Sequence, residues 1–303
     1  MPALVLLAML IDAATGEPKW LWSRLPHPAV LIGRCVGVLD RGMNQGKQRK
    51  LRGALAILIL SGGALGLGLL IKNLPYSEVL TVILGAIILA QRSLADHLAE
   101  VADALDISIE DGRRSVARIV GRDTSEMTEP EVARAAIESG AENLSDGIIA
   151  PVFWFLLLGL PGLIFYKAIN TADSMIGYRT PKHEQFGWAA ARLDDVLNWV
   201  PARLTAALIL FSHLRPFSWS VVFRDAPLHR SPNAGWPEAA MATVLRIALS
   251  GPRSYAGEKK DYPFVNDAGR KNLTGQEIRA CVGALWRSWG LMALIVAALA
   301  IAQ

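Results

Sequence analysis

Long uncharged runs of apolar residues alternate with polar stretches along the chain. Three runs approach the roughly 20 residues that a helix needs to cross the hydrocarbon of a bilayer; they cover residues 53–71, 147–166 and 288–303. Shorter uncharged runs fit tilted spans, re-entrant segments or buried core helices equally well; they cover residues 1–11, 79–91 and 204–214. The pattern predicts an all-α, polytopic integral membrane protein and leaves the number of spans open.

The run at residues 147–166 contains Gly159, Pro161 and Gly162 near its far end. Proline inside a helix removes a backbone hydrogen bond and kinks the chain. We therefore predict that this run dips into the bilayer and returns, which keeps its two polar flanks on one face. A simple crossing is the alternative, and it would place the flanks on opposite faces.

Two longer polar stretches have different patterns. Residues 92–146 are predicted to form soluble helices, because apolar residues recur at helical spacing from Leu94 to Leu105 and Thr128 with Glu131 forms a capping box. Residues 215–287 are rich in proline and glycine and are predicted to be loops around a helix at residues 238–249. No sheet is predicted. Residues 1–303 are interpreted as one membrane-embedded domain that contains this polar helical insert and this loop-rich region.

Composition and charge agree with a membrane location. Hydrophobic residues make up 52% of the chain, and the net charge of +4 is too small and too scattered for a nucleic-acid surface. Basic residues between positions 41 and 52 precede the apolar run that starts at residue 53, which places that end in the cytoplasm. The first apolar run lacks the basic start of an export signal, so it is interpreted as mature protein. Cys35 and Cys281 fit neither a disulfide framework nor a zinc site.

Carboxylates and carboxamides lie directly against the apolar runs. Glu138, Glu142 and Asp146 are spaced i, i+4, i+8, which lines them along one side of a continuous helix. A cation among them or a solvated acidic face both account for that row. Asn170 and Asp173 begin a polar stripe just after an apolar run. Their oxygen atoms suit Mg²⁺, while capping of a helix at the membrane boundary is the simpler alternative.

A second polar group precedes the run at residues 204–214. This group consists of Asp194, Asp195 and Asn198. The planar guanidinium groups of nearby arginines could hold a phosphate or a carboxylate. A surface ion-pair network explains the same pattern. The histidines show no metal-ligand spacing, and the chain has neither a GxxxxGK[ST] loop nor a GxGxxG motif.

Sequence motifs along nearly the whole chain resemble one known family. They include TGEP at 15, VGRDT at 120, AAIESGAENLSDGIIAP at 135, YKAINTADSMIGYR at 166, FGWAAARLDDVLNWVPARL at 186 and RDAPLHRSPNAGWPEAAMA at 224. In this order they resemble the adenosylcobinamide-phosphate synthase (CobD/CbiB) family of cobalamin biosynthesis. Glu17 departs from the aspartate expected there, and residues 258–272 match no expected motif.

The resemblance implies a multi-pass enzyme of the inner membrane whose active site faces the cytoplasm. It would be an ATP-dependent ligase that joins adenosylcobyric acid to (R)-1-aminopropan-2-ol or its O-phosphate. ATP would be a co-substrate and Mg²⁺ the metal. Membrane lipid is an expected partner and nucleic acid is not; association with further copies or with later enzymes of the pathway stays open.

Combining the resemblance with the polar groups gives a set of expected site residues. The expected metal ligands are Glu142, Asp146, Asp173, Asp194 and Asp195. All of these except Asp195 are also expected to be catalytic, and His229 is a second candidate to accept the proton of the amine. The expected substrate-binding residues are His27, Arg122, Asn143, Lys167, Asn170, Arg179, Asn198, Arg203 and Asn233.

Two other functions compete with the ligase. A membrane prenyltransferase also holds Mg²⁺ and diphosphate with acidic helices, although it usually has two aspartate-rich motifs and this chain has only one acidic i, i+4 series. A corrinoid transporter would line a path with intramembrane polar residues. The polar groups here lie at the ends of apolar runs, which favours chemistry at the membrane surface.

Overall fold

Helices form most of the computed structural model, which describes residues 1–215, 219–255 and 258–303. The described helices are α1 (Pro2–Thr15), α2 (Lys19–Trp22), α3 (Pro28–Met43), α4 (Arg49–Lys72), α5 (Ser77–Ile88), α6 (Gln91–Ile107), α7 (Ile109–Val116), α8 (Glu129–Leu144), α9 (Ala150–Ile176), α10 (Trp188–Leu197), α11 (Trp199–Ser212), α12 (Trp219–Asp225), α13 (Gly235–Leu245) and α14 (Gly275–Ile301). A π-helical turn (Ser145–Ile149) joins α8 to α9, and a 3₁₀ turn (Ala226–Leu228) follows α12. The predicted all-α class is confirmed.

In the described part of the chain, four helical segments are long and apolar enough to cross a membrane. They are Arg49–Lys72, Ser77–Ile107, Glu129–Ile176 and Gly275–Ile301. The second segment joins α5 to α6 through an extended residue, Leu89, and the third contains α8, the π turn and α9. This finding agrees with the predicted multi-pass membrane protein.

Small β pairs occur where the sequence predicted no sheet. Strand β1 (Leu249–Ser250) pairs antiparallel with β4 (Phe264–Val265), and β2 (Arg253–Tyr255) pairs antiparallel with β3 (Glu258–Lys260). Strands of two or three residues are too short to show alternation in the sequence. The prediction of no strand was therefore wrong for this loop-rich region, of which residues 216–218 and 256–257 lie outside the described part of the chain.

The helix predicted at residues 238–249 is also shifted. It begins at Gly235 and ends at Leu245, because Arg246 takes a left-handed conformation with φ of 57°. A helix ends readily at such a residue. Strand β1 begins at Leu249, so the last residue of the predicted helix belongs to a strand.

The chain folds into two compact units, each built from separate stretches of sequence. The first unit consists of Met1–Ala90, Ala150–Trp199 and Ile295–Gln303. In this unit α9 packs against α3, α4, α5 and α10. Its buried core includes Val36, Ile57, Tyr166, Ile169 and Phe186.

Helix α9 is broken at Gly159, which has φ of 68° and ψ of −158°. A Cβ atom placed on Gly162 would lie 2.6 Å from the carbonyl oxygen of Trp154. These residues are eight positions apart and would be separated by about 12 Å in a straight helix. Both arms of α9 also reach the end of α10: Trp154 donates to the Leu197 carbonyl at 3.2 Å, and Tyr166 donates to Asn198 at 2.8 Å. The predicted return of the chain within this segment is confirmed, and its dip into the bilayer stays a prediction.

The second unit consists of Gln91–Ile149 and Val200–Leu294. Helices α6, α7 and α8 pack together, and α13 packs against α8. Leu98 and Val101 of the predicted apolar face are fully buried. The predicted capping box of α8 is present, because the Glu131 carboxylate accepts from the Thr128 backbone and hydroxyl, each at 2.8 Å.

The turn at Gly159 gives a test of the hairpin. Its backbone dihedrals lie in a region that only glycine occupies readily. Gly159→Ala should therefore lower the free energy of unfolding by about 1–3 kcal/mol, measured as thermal unfolding in detergent. Gly62→Ala is the matched control, because no atom lies within 4 Å of a Cβ placed there. An unchanged Gly159→Ala protein would contradict the observed backbone turn.

Candidate functional site

The expected site residues fall into both units. The first unit contains His27, Lys167, Asn170, Asp173, Arg179, Asp194, Asp195 and Asn198. The second unit contains Arg122, Glu142, Asn143, Asp146, Arg203, His229 and Asn233. Each group is therefore described within its own unit.

Asp194 is the centre of a buried hydrogen-bond network in the first unit. One carboxylate oxygen accepts from the Asn198 amide at 2.9 Å, and the other accepts from the Asn170 amide at 3.4 Å. The hydroxyl of Tyr166 donates to the Asn198 oxygen and so fixes which way that amide points. Tyr166 is fully buried and was not among the expected site residues. The return of α9 beside α10 brings the two strongest sequence candidates, the Asn170 stripe and Asp194, into contact.

Three aspartates interact electrostatically in this region. Burial, followed by the charge of Asp173, raises the pKa of Asp194, and the hydrogen bonds from Asn198 and Asn170 only partly oppose that rise. Burial also raises the pKa of Asp195, against the attraction of Arg192 and Arg179. Such a cluster of like charges attracts a cation or a proton.

The position of the Asp173 carboxylate depends on Gly177, which directly follows the last residue of α9. A Cβ atom on Gly177 would overlap the Asp173 carboxylate and would lie 2.7 Å from its backbone carbonyl. The Gly177 N–H donates to that same carbonyl at 2.7 Å. The glycine therefore gives the carboxylate the space it occupies at the end of the helix.

The oxygen atoms of this cluster are ligands that suit Mg²⁺, although these side chains alone do not surround a metal ion. Among the described residues, no three His, Cys, Asp or Glu side chains are arranged so that they could hold a metal ion. Mg²⁺ typically uses only one or two protein carboxylates and takes waters or substrate phosphates as its other ligands. Asp173 and Asp194 could supply that pair.

His27 and Lys167 belong to a neighbouring charged group in the same unit. Burial lowers the pKa of His27, the Glu17 carboxylate opposes this shift, and the Lys167 ammonium adds to it. His27 also begins α3, since its Nδ1 accepts from the Ala29 backbone at 3.1 Å. Glu17, which differs from the expected aspartate, therefore interacts electrostatically with the predicted binding residue His27.

The loop between α9 and α10, which carries Arg179, is tied to α3 through Asp40. Asp40 accepts from Lys182 at 2.8 Å and from Asn44 at 2.8 Å, and His183 lies 3.4 Å away. Burial alone would raise the pKa of Asp40, but these hydrogen bonds hold it below its usual value. Asp40 and Lys182 are 142 positions apart in the sequence, so no local pattern could identify their pairing.

In the second unit, Arg122 is paired with Glu138. The Glu138 carboxylate accepts from Arg122 and from the Ser250 backbone N–H, each at 2.6 Å, and both side chains of the ion pair are nearly buried. Glu138 thereby joins α8 to β1. The π turn adds a residue to the helical turn after Leu144, so Asp146 leaves the straight line expected for Glu138 and Glu142.

Other expected residues of the second unit have polar partners. The Asn143 amide donates to the Ser139 carbonyl at 2.9 Å. His229 accepts from the Ser231 backbone at 3.0 Å and lies 3.5 Å from the buried Glu238 carboxylate, which the sequence analysis did not select. Because Nδ1 accepts that backbone N–H, the proton of the neutral ring lies on Nε2, which faces the Glu238 carboxylate.

Arg203 and Asn233 form a direct pair. Arg203 donates to the Asn233 side chain at 2.6 Å and to the Pro232 carbonyl at 3.1 Å, and its guanidinium lies 4.5 Å from the centre of the Trp236 ring. The contact with the Trp236 ring holds the Arg203 guanidinium in place. The roles expected for these residues stay predictions.

Comparison with known proteins decides the family. The family model described as "CobD/Cbib protein" matches residues 5–285. The chain belongs to the CobD/Cbib family. A family member from Rhizobium meliloti, named "Cobalamin biosynthesis protein CobD", is 45% identical over 98% of this chain and 96% of its own length. Proteins with the same name from Brucella suis and Rhodobacter capsulatus are 44% and 47% identical over 96% and 87% of this chain, and 95% and 86% of their own lengths. No solved structure matches this CobD/Cbib family member.

The buried position of Asp194 predicts a pH-dependent change in stability. Its pKa is raised in the folded state, so its charged form destabilises the fold at pH values above the folded pKa and costs nothing below the unfolded value of 3.8. Asp194→Asn cannot ionise. Its melting temperature, relative to the unsubstituted protein, should therefore be higher near pH 8 than near pH 4 in metal-free buffer.

Asp96→Asn is the control for this comparison, since Asp96 is an exposed partner of Arg92. Its difference from the unsubstituted protein should stay small at both pH values. An Asp194→Asn difference that does not change with pH would show that the carboxylate is not held in a costly environment.

Proposed function

We propose that this CobD/Cbib family member is an amide-forming ligase of cobalamin biosynthesis. It would join a propionate carboxylate of adenosylcobyric acid to (R)-1-aminopropan-2-ol or its O-phosphate, with ATP as co-substrate. Family membership over nearly the whole chain supports the pathway. The Asp173–Asp194 cluster, in which Asp194 is buried and Asp173 is half-buried, is the observation that supports phosphate chemistry, since clustered carboxylates beside arginine suit a phosphate-bound cation.

The reaction needs an activated carboxylate because amide formation in water is uphill. In the proposed sequence, an oxygen of the corrinoid carboxylate attacks the γ-phosphorus of ATP, so an acyl phosphate forms and ADP leaves. The amine nitrogen then attacks the acyl carbon, expels inorganic phosphate and loses a proton to a base. A carboxylate or His229 is the proposed base; His229 would accept the proton at Nδ1 in place of the Ser231 N–H, while its Nε2 faces Glu238 at 3.5 Å.

The residues of the first unit would bind the phosphates. Asp173 and Asp194 would hold Mg²⁺, which would neutralise phosphate charge when bound. Lys167 and Arg179 would contact phosphate oxygens directly. Asn170 and Asn198 have a second role in this proposal, because their amides hold Asp194 in place.

Residues of the second unit have separate proposed roles. Asn143, Arg203 and Asn233 suit the amides and carboxylates of a corrin ring. Glu142 and Asp146 stay proposed metal ligands. The partner of Arg122 is Glu138 at 2.6 Å, so a phosphate would compete with a buried ion pair there.

The polar end of the first unit is proposed to face the cytoplasm across the inner membrane. Lys50 at the start of α4 lies 4.0 Å from the centre of the Trp188 ring at the start of α10, and Arg49 donates to the Pro181 carbonyl at 3.4 Å. These contacts place the loop before α10 beside the basic start of α4. The positive-inside rule assigns that basic end to the cytoplasm, where ATP is available.

The decisive experiment uses purified protein in detergent with adenosylcobyric acid, ATP and Mg²⁺, and supplies each amine in a separate reaction. Mass spectrometry should detect the amide product with one of the two amines, together with ADP and inorganic phosphate. ATP-independent uptake by vesicles, or prenyl transfer to an acceptor, would instead support one of the rival functions.

Substitutions in the aspartate cluster should lower the rate at which the amide product forms. Asp173→Asn and Asp194→Asn should each reduce turnover by about 100-fold or more, because each removes charge that holds the phosphate-bound cation. Gly177→Ala should have a similar effect, since its Cβ would displace the Asp173 carboxylate. Gly42→Ala, where no atom lies within 4 Å of the added Cβ, is the matched control. Wild-type turnover of both Asn variants would remove these aspartates from the site.

A further inference from the structure

A cavity of about 300 Å³ lies at the turn of the α9 hairpin, away from the aspartate cluster. Its apolar wall comes mainly from the turn itself, whose residues 156–158 are consecutive leucines followed by Gly159, Leu160 and Pro161. Thr81 and Lys72 contribute polar atoms from α5 and α4. The cavity exists because the chain reverses at Gly159 and does not fill the space beside these two helices.

The position of the cavity follows from contacts along α4. A Cβ atom on Gly53, near the start of α4, would overlap the backbone carbonyl of Phe186 in the loop before α10. A Cβ atom on Gly68, near the end of α4, would lie 2.8 Å from the backbone nitrogen of Pro161. These glycines are fifteen positions apart, or about 22 Å along a helix. The turn therefore reaches most of the way across the hydrocarbon and approaches the opposite headgroup layer.

The lining combines hydrocarbon with positive charge, and Met1 also lines the cavity. Among the described side chains that line the cavity, only that of Lys72 is charged, and Lys72 is exposed in the last turn of α4. Leu157 and Leu158 are 60% and 50% exposed in the absence of lipid. A ligand that matches this surface has an apolar chain attached to an anionic group.

We propose that this cavity binds one anionic phospholipid, with its phosphate on the Lys72 ammonium and its first acyl carbons against Leu157 and Leu158. A lysine beside an apolar wall favours a headgroup with a net negative charge over a zwitterionic one, because only the former adds a net electrostatic attraction. The acyl contact favours a lipid over free phosphate, because each buried methylene adds favourable transfer free energy. The proposal is independent of the ligase reaction.

Native mass spectrometry of the purified full chain, titrated with phosphatidylglycerol, tests this site. Lys72→Gln should weaken the tightest phosphatidylglycerol binding by about fivefold, as expected for one basic residue at the membrane surface. Leu158→Trp, which fills the cavity and keeps Lys72, should also weaken it. Lys47→Gln is the control, because Lys47 is another exposed lysine near α4 that does not line the cavity.

Two further binding measurements, with phosphatidylcholine and with inorganic phosphate, identify the ligand. Phosphatidylcholine should bind more weakly than phosphatidylglycerol to the unsubstituted protein and should be insensitive to Lys72→Gln, and inorganic phosphate should not displace the bound lipid. Equal loss in the Lys47 and Lys72 variants would mean non-specific attraction and would overturn the proposal. Displacement by phosphate, or unchanged binding by both Lys72→Gln and Leu158→Trp, would overturn it as well. Thermal unfolding of each variant checks that the fold is retained.

Discussion

The reversal of the chain at Gly159 is the constraint on which the first unit depends. Its backbone conformation, with φ of 68°, turns one apolar run into two antiparallel arms. Trp154 on one arm and Tyr166 on the other then contact neighbouring residues at the end of α10. Without the reversal, the polar stripe after Tyr166 would not return to α10, and Asn170 would not reach Asp194. The polar cluster is therefore a consequence of a backbone turn within an apolar sequence.

The cluster itself keeps carboxylates in surroundings that penalise their charge. Asp194 is 8% exposed, and two amides compensate only part of its burial. A protein rarely keeps such a group for stability alone, since an uncompensated buried charge is costly. Binding of a cation together with an anionic reactant would relieve the repulsion. The aspartate cluster therefore suits the ATP-dependent chemistry proposed for this CobD/Cbib family member.

The features that were predictable from sequence are those encoded within a few turns of chain. Apolar runs indicated the helices, Thr128 and Glu131 indicated the start of α8, and Gly159 with Pro161 indicated the hairpin. Contacts between distant segments were not predictable: Asp40 with Lys182 and Glu138 with Ser250 are 142 and 112 positions apart. The π turn also changed the register of Asp146, because spacing arguments assume that an α-helix continues unchanged. Local patterns therefore identified candidate side chains, and the fold determined which of them meet.

The most direct measurement of the hairpin uses cysteines at positions 154 and 166 in a protein that lacks Cys35 and Cys281. A short bifunctional thiol reagent that fluoresces only after it bridges two cysteines reports whether the arms of α9 are adjacent. The account predicts a fluorescent, intramolecular bridge, because a Cβ atom on Gly162, one turn before position 166, would lie 2.6 Å from the Trp154 carbonyl oxygen. In a straight helix the two positions would be about 18 Å apart. Two separate adducts without a bridge would contradict the hairpin and the aspartate site built on it.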